Sequence, residues 1–248
     1  MIQVGEDRQI EIVGAQTLEA LIDAGVTARL FGGVAINLVS PWEPIFKCPR
    51  PQKDIDVIIR SNDVDTALDV LGNNGWKMNL RSLMFNEGRH VRAKHSSGLH
   101  LDLFTDPLHL NQTIHIDSRF KLSKITLTAS DLLLTKLQAA KPTERDLRDI
   151  LALVLTCRLS ESEKPDLLNV KRLCDVFARS WGFYYGACLN IERIGNLLQK
   201  NPALVNGSGT LATGRLDALI EVARNSRKTV FWTLRSVIGP RFKWFDDI

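Results

Sequence analysis

Residues 30–59, LFGGVAINLVSPWEPIFKCPRPQKDIDVII, restrict the fold of this chain more than any other stretch. A short apolar run (28–31) reads as a strand and ends at Gly32 and Gly33, and 34–39 has the composition of a short helix. Paired glycines allow backbone angles that other residues avoid and let the chain pass close to a ligand. Backbone N–H groups at a helix start seat an anion, and the helix dipole adds to the attraction. Twenty residues later Asp54-Ile55-Asp56-Val57-Ile58-Ile59 reads as a second strand. Strand side chains alternate, so Asp54 and Asp56 share one face and Ile55 takes the other. Two neighbouring carboxylates repel unless a cation lies between them. Mg²⁺ suits the place, because it is commonly held by one or two carboxylates together with substrate phosphates.

Around this stretch the pattern predicts a mixed α/β domain over residues 1–128 and a helical domain over 129–248. A helix is expected over 16–25, with Leu18, Leu21 and Ile22 as its apolar stripe and Gly25 as its stop. A second is expected over 63–74, capped by Asp63. Between them, Pro41, Pro44, Pro49 and Pro51 make 40–53 a loop. It carries Trp42, Phe46, Lys47, Arg50 and Lys53, which either grip a nucleobase or triphosphate or, for the aromatics, anchor the loop in the core. Residues 76–83 and 88–94 read as a strand hairpin. Residues 99–104 form a further strand, on which His100, Asp102 and Phe104 share a face. Short strands are expected around His115 and over 124–127. Helices are then expected over 131–140, 144–157, 169–179 and 184–199, and one long helix over 213–237 after the flexible Asn206-Gly-Ser-Gly209 link.

Composition sets the class. A chain of 248 residues, 44% hydrophobic and 24% charged, is ordinary for a globular protein and can bury a sizeable core. A net charge of +4 leans slightly toward polyanionic partners and equally suits a solvated basic surface. Cys48, Cys157, Cys174 and Cys188 show no CxxC spacing, which predicts free thiols in a reducing cytoplasm. No apolar leader and no run long enough to span a bilayer are present, so no membrane partner is expected. No feature sets an oligomeric state.

The order Gly-Gly, 20 residues, Asp-x-Asp, 45 residues, Asp resembles the nucleotidyltransferase fold of the DNA polymerase beta superfamily. The resemblance implies a nucleotidyltransferase-type mixed sheet flanked by helices, followed by a C-terminal helical region that shapes the acceptor site. It implies a metal-dependent enzyme that moves an NMP from an NTP, such as ATP, to an acceptor: an RNA or tRNA end, a protein or a small-molecule hydroxyl. Asp54, Asp56 and Asp102 are the implied catalytic and metal residues, for two Mg²⁺ ions with Mn²⁺ as the alternative. Gly32, Gly33, Lys53, Lys136 and Asp146 are the implied nucleotide-binding residues. A lysine helix followed by Arg145-Asp146-x-x-Asp149 also resembles the AbiEii-like, toxin–antitoxin branch, in which Lys136 would contact phosphates with Asp146 as its partner. Antibiotic-modifying enzymes of the superfamily and catalytically silent binding modules of the same fold are the alternatives.

Each of these residues has a plainer reading beside the functional one. Lys136 among Leu132, Leu133, Leu134 and Leu137 must find a partner or snorkel. Arg145 and Asp149 have the spacing of a helix-surface ion pair. His90, His95 and His100 recur every five residues, which fits no single helix or strand face, and read as separate solvated or core side chains. The basic residues of the C-terminal region either contact RNA phosphates or form a solvated helix face. Trp181, Phe183, Tyr184 and Tyr185 read as core.

Overall fold

The computed structural model describes residues 2–46, 52, 54–79, 81 and 88–247. The chain divides into two compact units: one comprises Met1–Leu38, Arg50–His109 and Thr113–Leu127, the other Val39–Pro49, Leu110–Gln112 and Thr128–Ile248.

The first unit is built on a five-stranded mixed sheet. Its strands are β1 (Ala28–Phe31), β2 (Asp54–Ile59), β3 (Trp76–Asn79), β4 (His90–His95) and β5 (His100–Thr105), in the order β1-β2-β5-β4-β3. β2 and β5 run parallel and the other neighbours antiparallel. Register sorts the side chains into two faces. Ile55, Val57, Ile59, Leu101, Leu103, Val91 and Ala93 are buried on one. Helices α1 (Ile2–Asp23) and α3 (Val64–Asn73) cover that face. The backbone of α1 at Gly14 lies directly over Ile55, whose side chain is 3.6 Å from where a Cβ would stand. Trp76 Nε1 donates to Thr17 Oγ1 of α1 across 3.2 Å. The mixed α/β sheet expected from the sequence is therefore present, and its apolar face is explained by period-two alternation.

Several boundaries differ from expectation for local reasons. α1 runs from Ile2 rather than from residue 16, so Gly5 and Gly14 sit within it; helix propensity yields to packing over the sheet. α2 (Gly32–Val39) starts on the first glycine, with no separate turn between strand and helix. Asp63 does not cap α3; its Oδ2 accepts from the Thr27 backbone N–H at 2.9 Å, tying the start of α3 to the lead into β1. Residues 124–127 make a single parallel bridge, Leu30 to Thr126, rather than a strand. His115 follows the two-residue β7 (Thr113–Ile114), which pairs with β6 (Leu108–His109).

The second unit is helical: α4 (Ala129–Leu137), α5 (Glu144–Thr156), α6 (Val170–Arg179), α7 (Trp181–Lys200), α8 (Gly209–Asn225) and α9 (Val230–Ile238). Thr128 caps α4 by accepting from the Asp131 N–H, and Thr143 with Asp146 closes a capping box on α5. α4 is buried almost all round, as expected of an apolar central helix. A two-stranded parallel pair, β8 (Leu159–Ser160) and β9 (Leu168–Asn169), lies between α5 and α6. The single long helix expected over 213–237 is two. Ser226 ends α8 in extended backbone, and Thr229 accepts from the Trp232 N–H to begin α9.

Candidate functional site

The other face of the sheet, on which Phe31 and Ile58 are buried and Asp54, Arg92 and His100 are exposed, concentrates the polar chemistry of the first unit. Register lines the side chains up in rows across the strands. Asp54 lies beside His100, then Lys94, then Lys77. Phe31 lies beside Asp56, then Asp102, then Arg92, then Asn79. Ile58 lies beside Phe104, then His90. Asp56 and Asp102 are thus direct neighbours on parallel strands, and Asp54 is one step along the same face. Asp54, His100, Lys94, Lys77 and Arg92 are exposed, whereas Asp56 and Asp102 are half-buried. An open cleft of about 280 Å³ is lined by Asp54, Arg92, Ala93, His100, Leu101 and Asp102.

Gly32 has a φ of +65°, and a Cβ there would stand 1.8 Å from Asp56 Oδ2. The helix start therefore presses its bare Cα against the carboxylate, an approach open only to glycine. Gly33 is buried in the first turn of α2. Sequence reasoning assigned both glycines to phosphate contact; the side-chain fact is that Gly32 makes room for Asp56.

Asp102 has partners that spacing alone did not reveal. His90 Nε2 lies 2.6 Å from Asp102 Oδ1, and Arg92 Nε donates to the same oxygen at 3.3 Å. The His90 ring stacks on Phe104 with centroids 4.2 Å apart and 9° between planes, and Phe104 meets Phe31 edge-on at 5.2 Å. His90 is therefore no isolated histidine: ring packing fixes it and its nitrogen fixes the carboxylate. His95, on the opposite face, packs on Trp76 at 4.9 Å. Arg29 is turned away from ligand duty, because its guanidinium donates to the carbonyls of Phe120 and Ser123; burial, then the charge of Arg60, holds its pKa below the usual range.

Replacing His90 with Ala should destabilise the protein by about 1.5–3 kcal/mol, the usual worth of a hydrogen bond to a charged group. His90→Gln, whose amide can donate to Asp102, should recover most of that loss. Equal denaturation midpoints for parent and His90→Ala would show that the contact is not made in solution.

Carboxylate oxygens are the donors a hard divalent cation takes. Asp56 and Asp102 supply two of them from adjacent strands, and phosphate oxygens can complete the shell. Among the described residues no three His, Cys, Asp or Glu side chains gather closely enough to hold an ion by themselves. The convergence of three carboxylates expected from the sequence is thus one of strand position, with Asp102 Oδ1 turned to His90 and Arg92.

The remaining expected residues lie elsewhere. Lys53, Lys47 and Arg50 are outside the described residues. Trp42 and Phe46 are buried, 4.6 Å apart between centroids, so these aromatics anchor the loop and do not grip a base. In the helical unit the Lys136 ammonium is 2.8 Å from Asp146 Oδ1 and 3.0 Å from Asp149 Oδ2. Asp149 is fully buried and faces Lys136, which excludes a surface pair with Arg145. Burial works to raise the Asp146 pKa, but the Lys136 charge and hydrogen bonds from Lys136 and Thr143 outweigh it and hold it below the ordinary carboxylate range.

No family model matches the chain, and no curated protein matches it. Among solved structures it is similar to a lincosamide antibiotic adenylyltransferase with lincomycin bound, at 21% identity and a TM-score of 0.40 over 55% of this chain and 90% of that one. It is also similar to an antigenic nucleotidyltransferase-like protein from Paracoccidioides brasiliensis, at 14% identity and a TM-score of 0.44 over 84% of this chain and 92% of that one. The chemistry of the site rests on its own residues.

Proposed function

We propose that the protein is a metal-dependent nucleotidyltransferase that moves an NMP from an NTP to an acceptor hydroxyl. The observation that carries the reading is the row in which Asp56 and Asp102 are neighbours, with Asp54 beside them and Gly32 packed on the Asp56 carboxylate. Asp54, Asp56 and Asp102 would hold Mg²⁺, or Mn²⁺ in its place. When bound, the ions neutralise phosphate charge and lower the cost of ionising the acceptor hydroxyl. The chain's own residues do the rest. Backbone N–H groups at Gly32 and Gly33 seat phosphate oxygens. Asp102, fixed by His90, takes the acceptor's proton. The acceptor oxygen bonds to the α-phosphorus, the bond from that phosphorus to the β-bridging oxygen breaks, and pyrophosphate leaves with the electron pair. Arg92, Lys94 and Lys77 flank the carboxylates in register and favour an anionic substrate along that side, either the triphosphate or a nucleic-acid acceptor. Lys136 and Asp146 enter this reading as phosphate ligand and partner: the ammonium would exchange one carboxylate for a phosphate.

A second reading has an observation of its own. Asp102 Oδ1 already has two cationic or potentially cationic neighbours, as in a carboxylate that serves structure. On that reading the sheet face binds nucleotide without turnover.

The deciding experiment offers each of the four α-labelled NTPs with Mg²⁺ and a cell extract to the parent and to Asp56→Asn. Label should move to one acceptor class, RNA as in a toxin-like enzyme, protein, or a small molecule such as an antibiotic. It should fall at least about a thousandfold in the variant, since metal-assisted charge stabilisation contributes several kcal/mol. Nucleotide binding without transfer would establish the silent module. Neither binding nor transfer would end the phosphate-seat reading.

A further inference from the structure

Helix α9 turns outward what the other helices of its unit bury. Val230, Phe231, Leu234 and Val237 are 75%, 84%, 61% and 81% exposed, Ile238 and Phe242 are also exposed, and no residue of α9 is buried. At 100° per residue Val230, Phe231, Leu234, Val237 and Ile238 fall within an arc of about 120°. The inward side is polar and aromatic. Trp232 meets Tyr184 edge-on at 5.3 Å, and the Arg235 guanidinium lies 4.5 Å over the Trp181 ring. The apolar stripe thus faces solvent because the indole and guanidinium side is the one that fits α7.

Charge frames that stripe. Residues 227–248 hold Arg227, Lys228, Arg235, Arg241 and Lys243 against Asp246 and Asp247, and Lys243 is paired with Asp247 at 2.5 Å. Lys228 turns inward, 4.4 Å from the Tyr184 ring. Arg227 and Arg241 are exposed, one before the helix and one after it. A contiguous apolar face of this kind on a protein surface marks an interaction site.

We infer that α9 and the residues just after it seat the protein on the surface of an anionic phospholipid membrane. Three observations select this occupant. The arc has no hydrogen-bonding side chain, so it offers nothing for a specific polar partner to read. Its far side is already packed, so only a shallow contact along one stripe is available, which is how an interfacial helix lies in the headgroup boundary. Exposed cations flank the stripe along the chain, Arg227 before it and Arg241 after it, and each cation that reaches an anionic headgroup strengthens binding about fivefold. A second copy is disfavoured, because pairing two such faces brings Arg227 and Arg241 of each against those of the other. The sequence expectation of no membrane partner rests on the lack of a spanning run, and this contact needs none: among the described residues no helix is long and apolar enough to cross a membrane, and the nine residues of α9 would lie in its plane.

Flotation of the full chain with vesicles of phosphatidylcholine, with and without phosphatidylglycerol, tests this. Binding is expected on the phosphatidylglycerol vesicles and is expected to weaken in high salt. Phe231→Gln with Leu234→Gln should reduce it at least about tenfold, from the loss of two buried apolar side chains. Arg227→Gln with Arg241→Gln should reduce it by about twentyfold. All four positions are exposed, so the thermal unfolding curves of both variants should overlay that of the parent. No flotation, equal flotation on neutral vesicles, or flotation indifferent to both variants would overturn the inference. So would a dimer in solution that Phe231→Gln with Leu234→Gln splits, or an acidic protein bound through α9, if vesicles are not bound.

Discussion

Gly32→Ala should both destabilise the protein and remove whatever Asp56 does. The added methyl would stand 1.8 Å from Asp56 Oδ2 and 2.6 Å from its Cγ, far inside contact distance. Asp56 cannot stay where it is. Its side chain must rotate away or β2 must shift, and Asp56 is paired on one side with Phe31 and on the other with Asp102. The backbone adds a second cost, since a φ of +65° is left-handed and disfavours any residue with a Cβ. Together these should lower stability by about 1–3 kcal/mol. A displacement of about 1 Å at a reacting group costs on the order of a hundredfold in rate, so transfer should fall at least that far. Denaturant titration and label transfer on the same preparation separate the two losses. A variant that unfolds with the parent and keeps its nucleotide chemistry would mean that Gly32 and Asp56 do not touch in solution.

The strand chemistry was legible because period two is a strong signal. Asp54 and Asp56 with Ile55 between them declare a strand with one polar and one buried face, and His100, Asp102 and Phe104 do the same. That β2 and β5 are neighbours, with Asp56 opposite Asp102, was conditional on pairing and is seen in the register. His90 was misread for the complementary reason. Its partner is set by the register of β4 on β5, and a five-residue spacing between histidines conceals that His90 and His100 share a face while His95 takes the other. Arg92 was not singled out at all, although alternation along β4 was enough to place it with His90 and Lys94.

Helix ends were less legible wherever tertiary contacts outrank local propensity. Gly5 and Gly14 lower the local helix propensity ahead of residue 16, yet α1 runs through both. The break between α8 and α9 carries no Gly or Pro. Its signals are Ser226 and Thr229, and an apolar period that continues on both sides masked them. Asp63 has the right residue type for a cap and spends its carboxylate on Thr27. A side chain able to cap is also able to accept from any nearby N–H, so residue type alone does not decide between them.

Lys136→Met should cost about 3–5 kcal/mol, the usual result of removing one member of a buried ion pair. Methionine keeps the apolar stem among the leucines of α4, so the loss comes from charge. Asp149 is fully buried and would lose the Lys136 ammonium 3.0 Å from its Oδ2, whereas Asp146 is half-exposed and has Thr143 as a further partner. Asp146→Asn should therefore be milder, about 1 kcal/mol. Its pH dependence has a definite sign. The folded state holds the Asp146 pKa below its ordinary value of 3.8, so the carboxylate's contribution is present above that value and disappears as pH falls through the lower, folded one. The Asn variant should lose stability at neutral pH and show a shallower decline below about pH 4. Pairing Lys136→Met with Asp149→Val replaces charge by apolar volume and should restore most of the stability lost. That double variant also isolates the nucleotide role proposed for Lys136. A stable protein whose nucleotide affinity falls by about tenfold or more has lost a phosphate ligand. A stable protein with unchanged affinity would assign Lys136 to the core of the helical unit and leave phosphate binding to the glycines that open α2 and the basic row on the sheet.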